Sequence, residues 1–190
     1  MNKEKKKEIL LKNFDIIKNN FGKFHTEMGD CVVNMFTVDV DMAVEMWKYL
    51  LIKYKDELMG DDSYSITECI TYEGGDIISK ETMYNIILST PEIKQAIFSD
   101  SKRFNDCDAI IVNNIISNEI ELANELLDLQ YNNSTKREMW FQVMNWCLVI
   151  LNDYTSSISE EAFDLLDMWC SKVEDEEERA ALITKLVGFV

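Results

Sequence analysis

Apolar residues along this 190-residue chain recur at spacings of three and four. Between residues 42 and 54 they fall at Met42, Ala43, Met46, Trp47, Leu50, Leu51 and Tyr54, with Glu45 and Lys48 off that stripe. This is the period of an amphipathic helix. Near the other end, Ala162, Leu165, Leu166 and Trp169 form a similar stripe beside Glu161, Asp164 and Asp167. Ile9, Leu10, Phe14 and Ile17 predict an N-terminal helix over about 3–20. The same reading predicts helix pairs over about 26–57, 63–99, 104–131 and 137–173, and a last helix over about 175–187. Polar or glycine-rich linkers are expected at residues 60–63, 73–76 and 132–135.

The helix starts carry their own signals. Asp39, Ser159 and the Thr90-Pro91-Glu92 triplet each suit a helix N-terminus, and Asn118 with Glu121 suits a capping box. The acidic run from Glu174 to Glu178 suits the positive end of a helix dipole.

The pattern repeats. Ala123-Asn124-Glu125-Leu126-Leu127-Asp128-Leu129 returns as Ala162-Phe163-Asp164-Leu165-Leu166-Asp167-Met168, an offset of 39. Ala43-Val44-Glu45-Met46-Trp47 lies 80 residues before the first of these, and Met83-Tyr84-Asn85-Ile86-Ile87 is a weaker copy halfway. Cys31, Cys69, Cys107 and Cys147 keep a similar beat, at separations of 38, 38 and 40. A lone helix cannot bury such a stripe, and each large apolar side chain buried stabilises by roughly 1.5–3 kcal/mol. An all-α fold of stacked antiparallel helix pairs, an α-solenoid, is therefore expected as a single repeat domain over 1–190; a closed helical bundle is the alternative. Helix pairs of this length, carried by Ala43, Met46, Trp47, Ala123, Leu126, Leu127, Ala162, Leu165 and Leu166, resemble the HEAT and armadillo group of helical repeats. What the resemblance implies is a curved stack with an extended binding face.

Composition fits this expectation and narrows the function classes. Six Gly and the single Pro91 are too few for the turns of a β-sandwich or barrel. The net charge is −16, yet residues 1–24 hold seven Lys against Glu4, Glu8 and Asp15, a net +4 that leaves −20 on the rest. Such a body repels phosphate backbones, so direct nucleic-acid binding is not expected. The basic N-terminal helix either caps the stack or docks on the acidic body, of this chain or of a second copy. No apolar run is long enough for a bilayer and no signal peptide is recognisable, so a cytoplasmic, membrane-free protein is expected. The odd number of cysteines, five, with no C-x-x-C pair, suits reduced buried thiols.

Candidate chemistry is sparse. His25 is the sole histidine, too few for a multi-histidine metal site or, without a pointer to it, a Ser-His-acid triad. The carboxylates at Asp39, Asp41 and Glu45, and at Asp56, Glu57, Asp61 and Asp62, lack calcium-loop spacing. Gly74-Gly75 has neither a preceding strand nor a following Lys-Ser or Lys-Thr, and reads as a turn. No catalytic, cofactor or metal residue is assigned. Of the tryptophans Trp47, Trp140, Trp146 and Trp169, most fall on apolar stripes; Trp140 and Phe141 are adjacent and cannot both face inward, which makes Trp140 a candidate contact residue. Three function classes follow: an adaptor that binds a protein partner, basic by charge complementarity; an acidic inhibitor that mimics nucleic acid or neutralises a toxin through Asp164, Asp167, Glu174, Asp175, Glu176, Glu177 and Glu178; and an enzyme with a carboxylate site.

Overall fold

A computed structural model describes residues 2–54, 66–98, 101–133 and 140–190. Every regular element among them is helical, and none of these helices is long and apolar enough to cross a membrane. The linker expected at 60–63, the acidic cluster from Asp56 to Asp62 and residues 134–139 lie outside the described residues. By its contacts the chain forms two compact units, residues up to 97 with 106–108, and residues 98–105 with 109–190.

The first unit opens with α1 (Lys3–Ile17), α2 (Phe21–Phe36) and α3 (Val40–Lys53). Helix α2 packs on both of its neighbours. It starts earlier than the sequence pattern predicts, with a first turn joined to the rest through a kink at Phe24 (φ −129°, ψ 23°). Asp39 caps α3 by accepting a bond from the Met42 N–H at 2.9 Å. Its other carboxylate oxygen pairs with Lys7 of α1, and Lys6 of α1 donates to Thr37 Oγ1 at 2.7 Å. The basic N-terminal helix thus docks on its own unit at the α2–α3 turn. The Lys7 hydrogen bond, then the Met42 N–H, hold the Asp39 carboxyl below its ordinary pKa.

A discontinuous helical stretch follows: α4 (Ile66–Cys69), a π-helical turn (Ile70–Gly74) and α5 (Gly75–Ile78). The expectation of a linker at residues 73–76, with Gly74-Gly75 as its turn, is corrected here. Both glycines have helical backbone angles. A side chain at Gly74 would sit 2.8 Å from Met83 Cε and 3.2 Å from the Phe36 ring, and one at Gly75 would sit 2.8 Å from Lys80 Cδ. These glycines sit in helical backbone against neighbouring side chains, not in a chain reversal. The reversal comes at Ser79, whose φ of 83° ends α5 and whose hydroxyl accepts the Thr82 N–H at the start of α6 (Lys80–Ser89). Helix α7 (Pro91–Phe98) begins at its proline, where the missing N–H has no partner to lose. The span expected as one helix pair over 63–99 is thus a series of short pieces.

Lys80 ties these pieces together. Its ammonium lies 2.9 Å from the buried carboxylate of Asp108 and 3.1 Å from the exposed carboxylate of Asp76, and it donates to the Tyr72 carbonyl at 2.8 Å. Burial opposes the Lys80 charge, but the hydrogen bonds to Asp108 and Asp76 outweigh it and raise its pKa. The Asp108 N–H donates to Thr71 Oγ1 in the π turn.

The second unit holds α8 (Ser101–Asp106, apart from its last residue), α9 (Ala109–Asn118), α10 (Ile120–Asn133), α11 (Trp140–Tyr154), α12 (Glu160–Cys170) and α13 (Glu176–Val187). Helix α9 packs on α10, α11 and α12, and α13 packs on α11 and α12. The capping box expected at Asn118 and Glu121 is not formed. Helix α9 runs through Asn118, leaving Glu119 as the one residue between two helices, and its carbonyl accepts the Ala123 N–H at 2.7 Å. Asn132 and Asn133, expected in a linker, continue α10. Ser159 does cap α12, accepting the Ala162 N–H at 3.1 Å.

Helices α3, α6, α10 and α12 begin at residues 40, 80, 120 and 160. In each, the position three or two residues on is completely buried: Ala43, Met83, Ala123 and Ala162. So are Trp47, Ile87, Leu127 and Leu166, one helical turn further.

Two substitutions probe the ties in the first unit. Lys80→Met removes the cation paired with the buried Asp108 carboxylate and is expected to cost about 3 kcal/mol in urea unfolding, by analogy with other broken buried pairs. Because the Lys80 pKa is raised on folding, the pair's contribution is complete below the unfolded pKa and fades as pH rises through the folded one. Asp39→Ala removes a cap worth about 1 kcal/mol. Asp39→Asn keeps the cap but abolishes the stability that wild type loses as pH falls from the unfolded carboxylate pKa through the lowered folded one, read by thermal melts across that acid range.

Candidate interaction surface

Helix α12 owes its polar face to its apolar one. Burying Ala162, Leu165, Leu166, Trp169 and Cys170 turns Glu160, Glu161, Asp164 and Met168 outward and leaves Asp167 half-buried. A turn later Asp175 caps α13, accepting the Glu178 N–H at 2.9 Å, and Glu176, Glu177 and Glu178 fill the first turn. Negative charge there complements the exposed N–H groups at the helix start. Of the expected surface residues, Asp164, Glu174, Asp175, Glu176 and Glu177 are exposed, while Asp167 and Glu178 are half-buried.

Trp140 is corrected: it is completely buried and is not a surface contact. Its indole N–H donates to the Trp169 carbonyl at 3.0 Å, and its ring packs against Trp169 and Tyr131 with centroids 5.5 and 5.1 Å away. Its neighbour Phe141 is the half-exposed one.

The cations next to the acidic face are engaged by neutral groups. Lys172 lies 4.0 Å above the Trp169 ring centroid, and Arg179 donates to the Val173 carbonyl at 2.9 Å. Lys185 donates to Asn145 Oδ1. Among the described residues, Glu160, Glu161, Asp164, Asp167 and residues 175–178 take part in no ion pair. The first unit differs: Lys48 there bridges Glu45 at 3.1 Å and Glu92 at 3.3 Å. Two depressions flank residues 189 and 190. One, of about 380 Å³, is lined by Ile158, Ser159, Glu160, Phe163, Asp164 and Val190. The other, of about 340 Å³, is lined by Leu148, Val149, Asn152, Lys185 and Phe189.

Other sequence candidates are accounted for by packing. His25 is half-buried beside Phe21, with ring centroids 5.9 Å apart. Asp39 caps a helix, and Glu45 pairs with Lys48. One grouping escaped the sequence reading. Asp30, Cys69 and Glu73 bring two carboxylates and a thiol within 4.8 Å of one another, which makes them the residues able to hold a cation among those described. Cys69 is buried against Gly29, where a Cβ would meet its sulfur at 3.2 Å, while both carboxylates face solvent. Desolvation, with Glu73 and Glu27 as nearby like charges, raises the Asp30 pKa. Ordinary core packing of the thiol explains the geometry, and no metal is assigned. The grouping depends on how α2 meets α4, which spacing along the chain does not encode.

The chain matches no protein-family model, no curated protein and no solved structure.

All five cysteines are buried, and none forms a disulfide. Burial raises the pKa at Cys31 and at Cys107, Cys147 and Cys170, to about 12 at the last. Protonated thiols are poor nucleophiles. A disulfide reagent at neutral pH is therefore expected to titrate essentially none of them in the native protein within minutes and all five in guanidinium. Rapid native reaction of two or more would contradict the burial.

Proposed function

We propose that this chain is a non-catalytic interaction module that offers the acidic face of α12 and the first turn of α13 to a basic protein partner. One observation carries the reading: the neighbouring cations Lys172 and Arg179 are turned to a ring and a carbonyl, so the carboxylates keep their charge for an outside partner. Within about 8 Å at physiological salt such a field is felt by an approaching surface. A cation-rich protein gains from it in association rate, whereas a phosphate backbone is repelled.

The proposal includes the stacking of successive helix pairs. Support comes from the even starts of α3, α6, α10 and α12 and from the burial of Ala43, Met83, Ala123 and Ala162 shortly after those starts. Repeated pairs of this kind make broad surfaces with little need for a catalytic pocket.

The test compares wild type with the surface variant Glu161→Gln/Asp164→Asn/Asp167→Asn/Glu177→Gln as bait in the native host's extract. The expected result is one basic protein retained in stoichiometric amount at low salt by wild type, and reduced at least tenfold with the variant or at high salt. Equal recovery on both baits would overturn the reading.

A further inference from the structure

The depression of about 380 Å³ beside the start of α12 has a divided lining. Ile158 and Phe163 are half-buried at its apolar part, and Val190 is 89% exposed at its edge. Glu160 and Asp164 are on the same wall, one helical turn apart, and neither is neutralised within the described residues. The volume exceeds the roughly 300 Å³ at which concave sites begin to enclose organic groups. Beyond it along α12 the exposed surface continues with Met168, again one turn on.

Resting on the proposed interaction role, we propose that this depression takes the apolar anchor of a basic amphipathic helix from the partner, with the anchor against Ile158, Phe163 and Val190 and flanking Lys or Arg side chains against Glu160 and Asp164. Charge complementarity selects this occupant. Carboxylates at one-turn spacing along α12 match cations at one-turn spacing along a second helix laid beside it. The apolar wall gives the contact an anchor that a purely electrostatic encounter lacks, and anchors of this kind carry most of the affinity in helix-in-groove recognition. An acidic or uncharged helix gains the apolar contact but meets carboxylates left without a partner.

The experiment uses fluorescence anisotropy at physiological salt with two labelled probes of equal charge. One is a helical peptide with a leucine stripe flanked by lysines; the other has serine in place of leucine. The full chain is expected to bind the leucine peptide at least tenfold more tightly. Phe163→Ala and Val190→Asn are each expected to reduce that preference severalfold while leaving the serine peptide unaffected. Glu160→Gln/Asp164→Asn is expected to weaken both. Val190 is nearly free of the fold, so Val190→Asn keeps the test valid if Phe163→Ala unfolds. Equal binding of the two peptides, or an unchanged preference in both pocket variants, overturns the anchor while leaving the acidic face standing. Failure of both peptides to bind overturns the anchor and the acidic face together. A second copy of this chain, whose α1 carries Lys3 and Lys5, is the competing occupant. Concentration-dependent dimers in sedimentation that Val190→Asn dissolves would overturn the proposal in its favour.

Discussion

A helix of ten to fifteen residues does not hold in water by its own hydrogen bonds; it persists by covering one stripe with something else. Nearly every feature of this chain follows from that constraint. Ala43, Met83, Ala123 and Ala162 are completely buried two or three residues after the starts of α3, α6, α10 and α12. Three of the four are alanine, so a neighbouring helix can lie close there. Where a larger residue takes the position, at Met83, the compensation appears opposite it: Gly74 has no side chain, and Met83 Cε lies within 2.8 Å of where its Cβ would be. Gly74 closes the π turn, so the backbone there comes close to the Met83 side chain.

This explains what the sequence could and could not disclose. Stripes and caps are local, so α3 and α12, with Asp39 and Ser159 at their heads, were readable from spacing alone. Gly74-Gly75 looks like a turn in sequence because glycine's two uses, turning and close approach, are the same letter. Only Met83, Phe36 and Lys80, brought in by tertiary packing, tell them apart. Asn118 failed as a cap for a related reason: α9 keeps its hydrogen-bonding through that residue, with the Glu119 N–H donating to the Ile115 carbonyl. At Trp140 and Phe141 the argument from adjacency was sound, but it leaves open which ring goes inward. The indole N–H decided it, because the Trp169 carbonyl satisfies it in the core and Phe141 offers no such bond.

The charges obey a different economy in the two units. In the first, lysines meet carboxylates: Lys7 with Asp39, Lys48 with Glu45 and Glu92, Lys80 with Asp76 and Asp108. All but the Lys48–Glu45 pair, which lies within α3, join one segment of the unit to another. In the second, Lys172, Arg179 and Lys185 go to a ring, a carbonyl and an amide. The acidic run was plain in the sequence, but this division was not. Counting Lys172 and Arg179 against their acidic neighbours would have predicted local pairing, and the aromatic cluster of Tyr131, Trp140 and Trp169 draws Lys172 away from it.

That diversion links the core to the surface. Trp169 sits where its carbonyl holds Trp140, its indole N–H reaches Asn124 Oδ1 at 3.0 Å and its ring face meets Lys172. A cation over an aromatic face is held by about 0.5–1 kcal/mol when exposed, comparable to a surface ion pair. Neither contact dominates by strength, so placement decides: the ring is rigid in the core, whereas a surface carboxylate must give up side-chain freedom to pair. The exposed acids of α12 and α13 take part in no ion pair among the described residues, while Lys172 lies over the tryptophan ring. Their field is then a by-product of core packing that also stabilises two helix starts, at Ser159 and Asp175. Recognition can be built on such a surface, since the carboxylates of α12 and of the first turn of α13 project from helices whose starts are fixed by the Ser159 hydroxyl and the Asp175 carboxylate.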